Sequence, residues 1–148
     1  MQYNDSEAFL SSFQAGQVYN FHGHIDTPQS HYQVLLNKDF QKTWNLIYCS
    51  IATSQIDKKE KFIEIKWFPK ETLIILWENE ISFFKKKTCF NCNDVLQYSI
   101  YDMFSEYLWG NLFYVWKLPD QILERIYNWI LISPNVSQNI KKRIWLIS

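Results

Sequence analysis

The sequence has little glycine and no excess of charge of either sign. Its three glycines are too few for the glycine-rich loops that hold phosphates in Rossmann and P-loop proteins. Lysine plus arginine equals aspartate plus glutamate, at 15 each, so the formal net charge is zero. A neutral chain has no overall attraction for nucleic acid or for an acidic membrane surface. Any such contact must therefore come from a local patch.

Long apolar runs and paired cysteines are also missing. No apolar run approaches the roughly 20 residues of a membrane-spanning helix, and the first residues do not have the basic and apolar pattern of a signal peptide. The three cysteines are an odd number, unlike the even set of a secreted disulfide framework. We therefore expect a soluble, cytoplasmic protein with no membrane partner.

Aromatic residues are abundant, at 18% of the 148 residues. A chain of this length forms one domain with a substantial core, and we expect a single domain over 1–148 with a C-terminal helical extension at about 133–148. So many rings exceed what one small core easily buries. Some of them should lie on a groove or a partner surface.

The first two thirds of the chain have the pattern of several short strands. A short helix is predicted within residues 1–15 and ends at Gly16. The charged segment Lys58-Lys59-Glu60 is predicted as an exposed loop, and a strand beginning at Phe62 should end at Pro69. The other strands are predicted from alternating or continuous apolar runs, over 18–24, 31–37, 45–52, 72–77 and 88–92.

The remaining third has clearer helix signals. Ser99 followed by Asp102 resembles a capping box, and apolar residues at helical spacing continue to Gly110. Leu112, Tyr114 and Trp116 alternate with period two and predict one more strand with a buried face. Closing helices should begin at Pro119 and again after 133–134. The order predicts a mainly β fold with some α, a small barrel or twisted antiparallel sheet closed by C-terminal helices.

Residues 45–52 form an apolar run that ends abruptly in Thr53-Ser54-Gln55. Such a run suits a strand buried on both faces, so its polar end should lie at the rim of the core. Small polar groups at a strand end are held rigidly and can still meet a ligand. This rim is the predicted functional site.

The ordered motifs resemble the MazF/PemK family of toxins over about residues 16–132. This resemblance implies an SH3-like barrel that cleaves single-stranded RNA without a metal or other cofactor, as a homodimer held in check by a cognate antitoxin. The segments that carry the resemblance are Gly16-Gln17-Val18-Tyr19, the strand 31–37, Ile51-Ala52-Thr53-Ser54, the stretch 87–95 and the helix at 118–132.

The resemblance also implies roles for particular residues. His31 stands where the family commonly has a catalytic arginine, and a histidine side chain, which titrates near neutrality, can serve as an acid or base. Thr53 and Ser54 would hydrogen-bond the phosphate. The RNA-binding residues would be His22, His24, Gln55, Lys58 and Lys59.

Other interpretations of the same residues remain open. Thr53 and Ser54 could simply cap loose backbone groups at a strand end, and runs such as Lys85-Lys86-Lys87 usually form a solvated face. A zinc site built from Cys89, Cys92 and the two histidines 22 and 24 is disfavoured, because a strand directs residues 89 and 92 to opposite faces. The absent arginine and the aromatic excess also allow a non-catalytic protein-interaction module on the same fold.

Overall fold

The structure is a computed structural model that describes residues 8–9, 11–21, 31–40, 46–77, 80, 84, 86–144 and 146–147. These residues form a mixed α/β fold built on one antiparallel sheet of seven strands. None of the described helices is long and apolar enough to cross a lipid bilayer.

Strands and helices are interspersed along the chain. A 3-10 turn, Lys70–Thr72, leads into the fourth strand. In chain order the elements are β1 (Gln17–Phe21), β2 (His31–Leu35), β3 (Leu46–Thr53), α1 (Ile56–Lys66), β4 (Leu73–Leu76), β5 (Thr88–Asn91), β6 (Leu96–Ser99), α2 (Ile100–Leu108), β7 (Leu112–Lys117), α3 (Asp120–Ile132) and α4 (Gln138–Arg143).

The sheet is organised around β3, its longest strand. The strand order is β4-β5-β3-β2-β1-β7, and β6 pairs with β3 beside β5. The first half of β3 pairs with β6 and its end pairs with β5, while β2 lies along its other side. The predicted antiparallel sheet is confirmed. Among the described residues no pairing joins β4 to β7, so closure of the sheet into a barrel is not shown.

Alternate residues of β3 face two different cores, as expected for a strand buried on both sides. Tyr48 and Ala52 pack in a cluster with Ile126 and Ile130 of α3. Ile47 and its neighbours on the other face pack against α2. A smaller cluster lies under α1 at the β4–β5 side of the sheet. Helices therefore cover both faces, and β3 is fixed from all sides.

Several local predictions are confirmed. Gly16 has a φ of 90° where the first segment turns into β1, as a glycine allows, although residues 12–15 are already non-helical and the predicted helix does not extend to it. Ser99 caps α2, since its Oγ accepts a hydrogen bond of 3.0 Å from the backbone N–H of Asp102. The strands predicted over 31–37, 45–52, 72–77 and 88–92 each contain a strand of the sheet. The helix predicted within 1–15 lies largely outside the described residues.

The loop predicted at Lys58-Lys59-Glu60 and the strand predicted after it are wrong, because residues 56–66 form α1. Ile56 and Ile63, seven residues apart, are its buried positions, and this separation places them on one helical face. Phe62 and Ile65, which had suggested a strand, are exposed. Lys58 and Lys59 therefore lie on a helix.

Two features of the strand pattern were also missed. The strand β6 was not predicted, although it pairs with the first half of β3. In β7 the strand is confirmed but its single buried face is not, since Leu112 is buried while Tyr114 is exposed. The pairing register with β1 shifts between Val18 and Tyr19. Such a bulge breaks the regular alternation of side chains.

Candidate functional site

An open cleft of about 630 Å³ lies where β3 gives way to α1. Both the predicted polar strand end and the start of the neighbouring strand β5 contribute to its wall. The lining residues are Ser54, Gln55, Ile56, Asp57, Lys58, Lys86 and Lys87.

Side-chain and backbone hydrogen bonds shape the turn between β3 and α1. The Oγ1 atom of Thr53 accepts a hydrogen bond of 3.1 Å from the backbone N–H of Gln55. The carbonyl of Ser54 accepts one of 2.9 Å from the N–H of Ile56. Hydroxyl side chains commonly stabilise turns in this way. The turn is so short that Ser54 and Gln55 come directly to the start of the helix.

The charge of the cleft is positive. Three lysines and one aspartate line it. Gln55 precedes α1 without a side-chain hydrogen bond to the helix end, and the first N–H groups of a helix together with its dipole favour an anion. Asp57 in the first turn offsets part of this charge. The cleft is therefore a local positive patch on a chain of zero net charge.

Lys86 and Lys87 reach the cleft because β5 runs antiparallel to β3. The paired residues are Ala52 with Phe90 and Thr53 with Cys89, so Lys86 and Lys87, directly before β5, lie at the end of the sheet where β3 turns into α1. The sequence alone indicated a solvated face for the run Lys85-Lys86-Lys87, which would bind RNA only if the fold brought it onto a groove. The signal that could have found them is the basic run directly before a strand, since antiparallel pairing places the start of one strand beside the end of the other.

His31 lies at the start of β2, at the same end of the sheet. Tyr32 pairs with Ala52 across β2 and β3, so one residue further along His31 stands opposite Thr53. Side chains directly opposite each other point to the same face, with Cβ atoms about 4.5–5.5 Å apart. Both residues are half-buried, and neither lines the cleft.

The predicted residues thus divide into four groups. Ser54, Gln55 and Lys58 line the cleft, while His31 and Thr53 lie level with each other on the adjoining strands. Lys59 is half-buried one residue further along α1 and does not line the cleft. The two predicted residues His22 and His24 lie outside the described residues.

Thr53 also fits the capping interpretation, because its oxygen accepts the N–H of Gln55. This bond does not use the hydroxyl proton, since a hydroxyl has one donor in addition to its acceptor lone pairs. Thr53 can therefore stabilise the turn and donate a hydrogen bond to a ligand at the same time.

Cys89 and Cys92 pack in different places. Cys89 belongs to the cluster beneath α1, and Cys92 belongs to the cluster beneath α3. Burial raises the pKa of Cys89 to about 11 and that of Cys92 to about 12. Both side chains are therefore neutral thiols at pH 7. Within the described part of the chain, no three histidine, cysteine or acidic side chains are grouped as metal ligands.

No protein-family model matches this sequence, and no curated protein is a significant match to it. The resemblance to the MazF/PemK family therefore depends on its own short motifs.

Proposed function

We propose that this protein is the toxin of a toxin–antitoxin-type system and a metal-independent endoribonuclease acting on single-stranded RNA. In this proposal the sheet is the core of an SH3-like barrel, the active protein is a homodimer, and a cognate antitoxin holds it in check. The observation that carries the proposal is the positive cleft beside the strand ends that bear His31 and Thr53.

RNA binding would depend on the phosphate backbone. Lys58, Lys86 and Lys87 supply the positive charge that the chain as a whole lacks. Ser54 and Gln55 add hydroxyl and amide donors on the same wall. Contacts of this kind position a nucleic acid without reading its sequence.

The chemistry would take place next to the cleft. His31 would remove the proton from a ribose 2′-hydroxyl, and the 2′-oxygen would then attack the adjacent phosphorus. The hydroxyls of Thr53 and Ser54 would stabilise the charge that develops on the phosphate oxygens. The 5′-oxygen leaves with a proton from solvent. The products are a 2′,3′-cyclic phosphate and a free 5′-hydroxyl.

Incubation with a broad panel of single-stranded RNAs in EDTA tests this proposal. We expect fragments that end in 2′,3′-cyclic phosphate, and His31→Ala should lower their rate of formation by about 10²- to 10⁴-fold, the usual effect of losing an acid–base group. Lys142→Ala, an exposed change on α4, is the matched control and should cleave normally. RNA that stays intact across the whole panel would contradict the proposal.

A second candidate function is a non-catalytic protein-interaction module. The observation that favours it is a set of exposed aromatic and apolar side chains on α2, directly after α2 and on β7, which is an edge strand among the described strands. We call this surface the α2–β7 surface. Its members are Tyr101, Tyr107, Leu108, Trp109 and Tyr114, each about half exposed or more. Exposed apolar patches of this kind commonly bind partner proteins.

A further inference from the structure

Trp77 lies directly after β4, beside the cleft. Its side chain is 55% exposed. Leu76 pairs with Thr88 across β4 and β5, so one residue further along Trp77 comes level with Lys87. The Nζ atom of Lys87 lies 3.8 Å from the centre of the Trp77 ring. A lysine that lines the cleft therefore also contacts this exposed indole.

The backbone of Trp77 is hydrogen-bonded to Glu80. Its N–H donates a hydrogen bond of 3.3 Å to Oε1 of Glu80, and the N–H of Glu80 donates one of 2.9 Å to the carbonyl of Trp77. The other carboxylate oxygen of Glu80 lies 3.7 Å from the guanidinium of Arg125 on α3. The backbone that carries the indole is thus fixed before a ligand arrives, which lowers the entropy lost on binding.

The cleft and the ring lie in one row across the end of the sheet. Gln55 follows β3, Lys87 directly precedes β5 and Trp77 follows β4, so all three residues lie at the same end of three neighbouring strands. Neighbouring strands are about 4.8 Å apart, so the row spans about 10 Å. A nucleotide whose phosphate meets Lys86 and Lys87 is close enough for its base to reach the ring.

We propose that Trp77 is a stacking platform for an unpaired nucleobase of the RNA strand whose phosphate occupies the cleft. This proposal rests on the proposed RNA-binding function and extends it to a base-binding subsite. Every base has a flat π surface, so stacking on an aromatic ring tolerates different sequences. Bases paired inside a duplex do not offer that surface, and the subsite therefore selects single-stranded RNA.

Other exposed tryptophans provide controls within the same chain. Trp67 is 92% exposed and follows the C-terminal end of α1. At 1.5 Å per residue, the 11 residues of that helix place Trp67 roughly 16 Å from the helix start at the cleft. Trp67 is therefore a more exposed ring that lies away from the cleft. A change there tests whether any surface tryptophan contributes to binding.

The experiment measures the binding of two ligands in EDTA, a six-nucleotide 2′-O-methyl RNA that cannot be cleaved and an abasic strand of the same length. Trp77→Leu should weaken binding of the base-containing strand by about 5- to 100-fold, the effect expected for one stacked base. Trp77→Phe should recover most of that loss because it keeps an aromatic face. Trp67→Leu should bind as the unsubstituted protein does, and circular dichroism checks that all variants are folded.

The abasic strand separates stacking from charge. Trp77→Leu should bind it as well as the unsubstituted protein does, because no base is present to stack. An equal loss on both strands, or no loss on the base-containing strand, would overturn the subsite and leave the RNA-binding function intact. If the unsubstituted protein binds neither strand, the proposed function falls and the subsite falls with it.

Discussion

The cleft at the start of α1 and the α2–β7 surface are chemically opposite. The cleft has three lysines and several polar donors around a concave space. The α2–β7 surface exposes rings and a leucine on a helix and an edge strand. The first suits an anionic ligand, whereas the second suits an apolar partner. A chain with equal numbers of acids and bases can therefore still have a strongly localised preference for anions.

The abundant aromatic residues also lie in different surroundings. Fewer than half of the described aromatic side chains are buried, among them Phe9, Phe13 and Phe104, which pack together between α2 and the sheet. Trp77 is exposed next to lysine, where cation and ring together suit a nucleotide. Tyr107 and Trp109 are exposed on the α2–β7 surface. The aromatic excess seen in the composition is thus divided between the core and the surface.

The largest effect on RNA binding should come from removing the positive charge of the cleft. Replacing Lys58, Lys86 and Lys87 together by glutamine should weaken binding of single-stranded RNA by about 100-fold at 0.1 M salt. The slope of log K against log salt should fall by about 2, since each lost phosphate contact contributes about 0.7 for a single strand. Filter binding at several salt concentrations measures both quantities.

The matched control replaces Lys66, Lys70 and Lys142, which are also exposed, by glutamine. This variant changes the net charge by the same amount but leaves the cleft untouched. If both triple variants lose affinity equally, the cleft has no special role and the comparison between the two surfaces fails.

A smaller effect, on the stability of the fold, should appear at alkaline pH and involve Cys89 beneath α1. Burial raises the pKa of the Cys89 thiol from 9.0 to about 11, so the folded protein holds this proton to a higher pH than the unfolded chain does. The resulting stabilisation is complete below about pH 9 and is lost as the pH rises through 11. The urea midpoint should therefore fall between pH 8 and pH 10.5.

Cys89→Ala provides the comparison for this measurement. The variant leaves a small cavity and should be less stable at pH 8, but its midpoint should fall less over the same pH range. If the urea midpoint of Cys89→Ala falls as much as that of the unsubstituted protein, groups other than Cys89 cause the alkaline sensitivity.

The smallest effect on RNA should come from the α2–β7 surface. Replacing Tyr107, Trp109 and Tyr114 together by serine should change RNA affinity by less than about twofold, because exposed side chains far from a ligand contribute little. Growth arrest on expression should also persist if RNA cleavage causes it. The interaction module would be favoured if growth arrest is lost in this triple serine variant. It would be favoured further if growth arrest persists when His31, Thr53 and Ser54 are all replaced by alanine.

Local signals were sufficient for much of the fold and for part of the site. The capping of α2 by Ser99 depends on residues three positions apart, and the polar end of β3 follows from an apolar run that stops at Thr53. The α1 segment was misassigned because Phe62, Ile63 and Ile65 fit a strand pattern locally. Packing of Ile56 and Ile63 over the β4–β5 side of the sheet stabilises the helix instead.

The sequence by itself determined the strand-rich order, the polar rim at Thr53-Ser54-Gln55 and the apolar faces of the closing helices, because these features depend on residues that are near neighbours in the chain. Only the tertiary structure placed Lys87 and Trp77 beside the turn that carries Gln55, and His31 level with Thr53. Those residues are brought together by antiparallel pairing between strands about 10 to 35 positions apart. Register of that kind depends on the packing of both faces of the sheet at once, and no short stretch of sequence contains it.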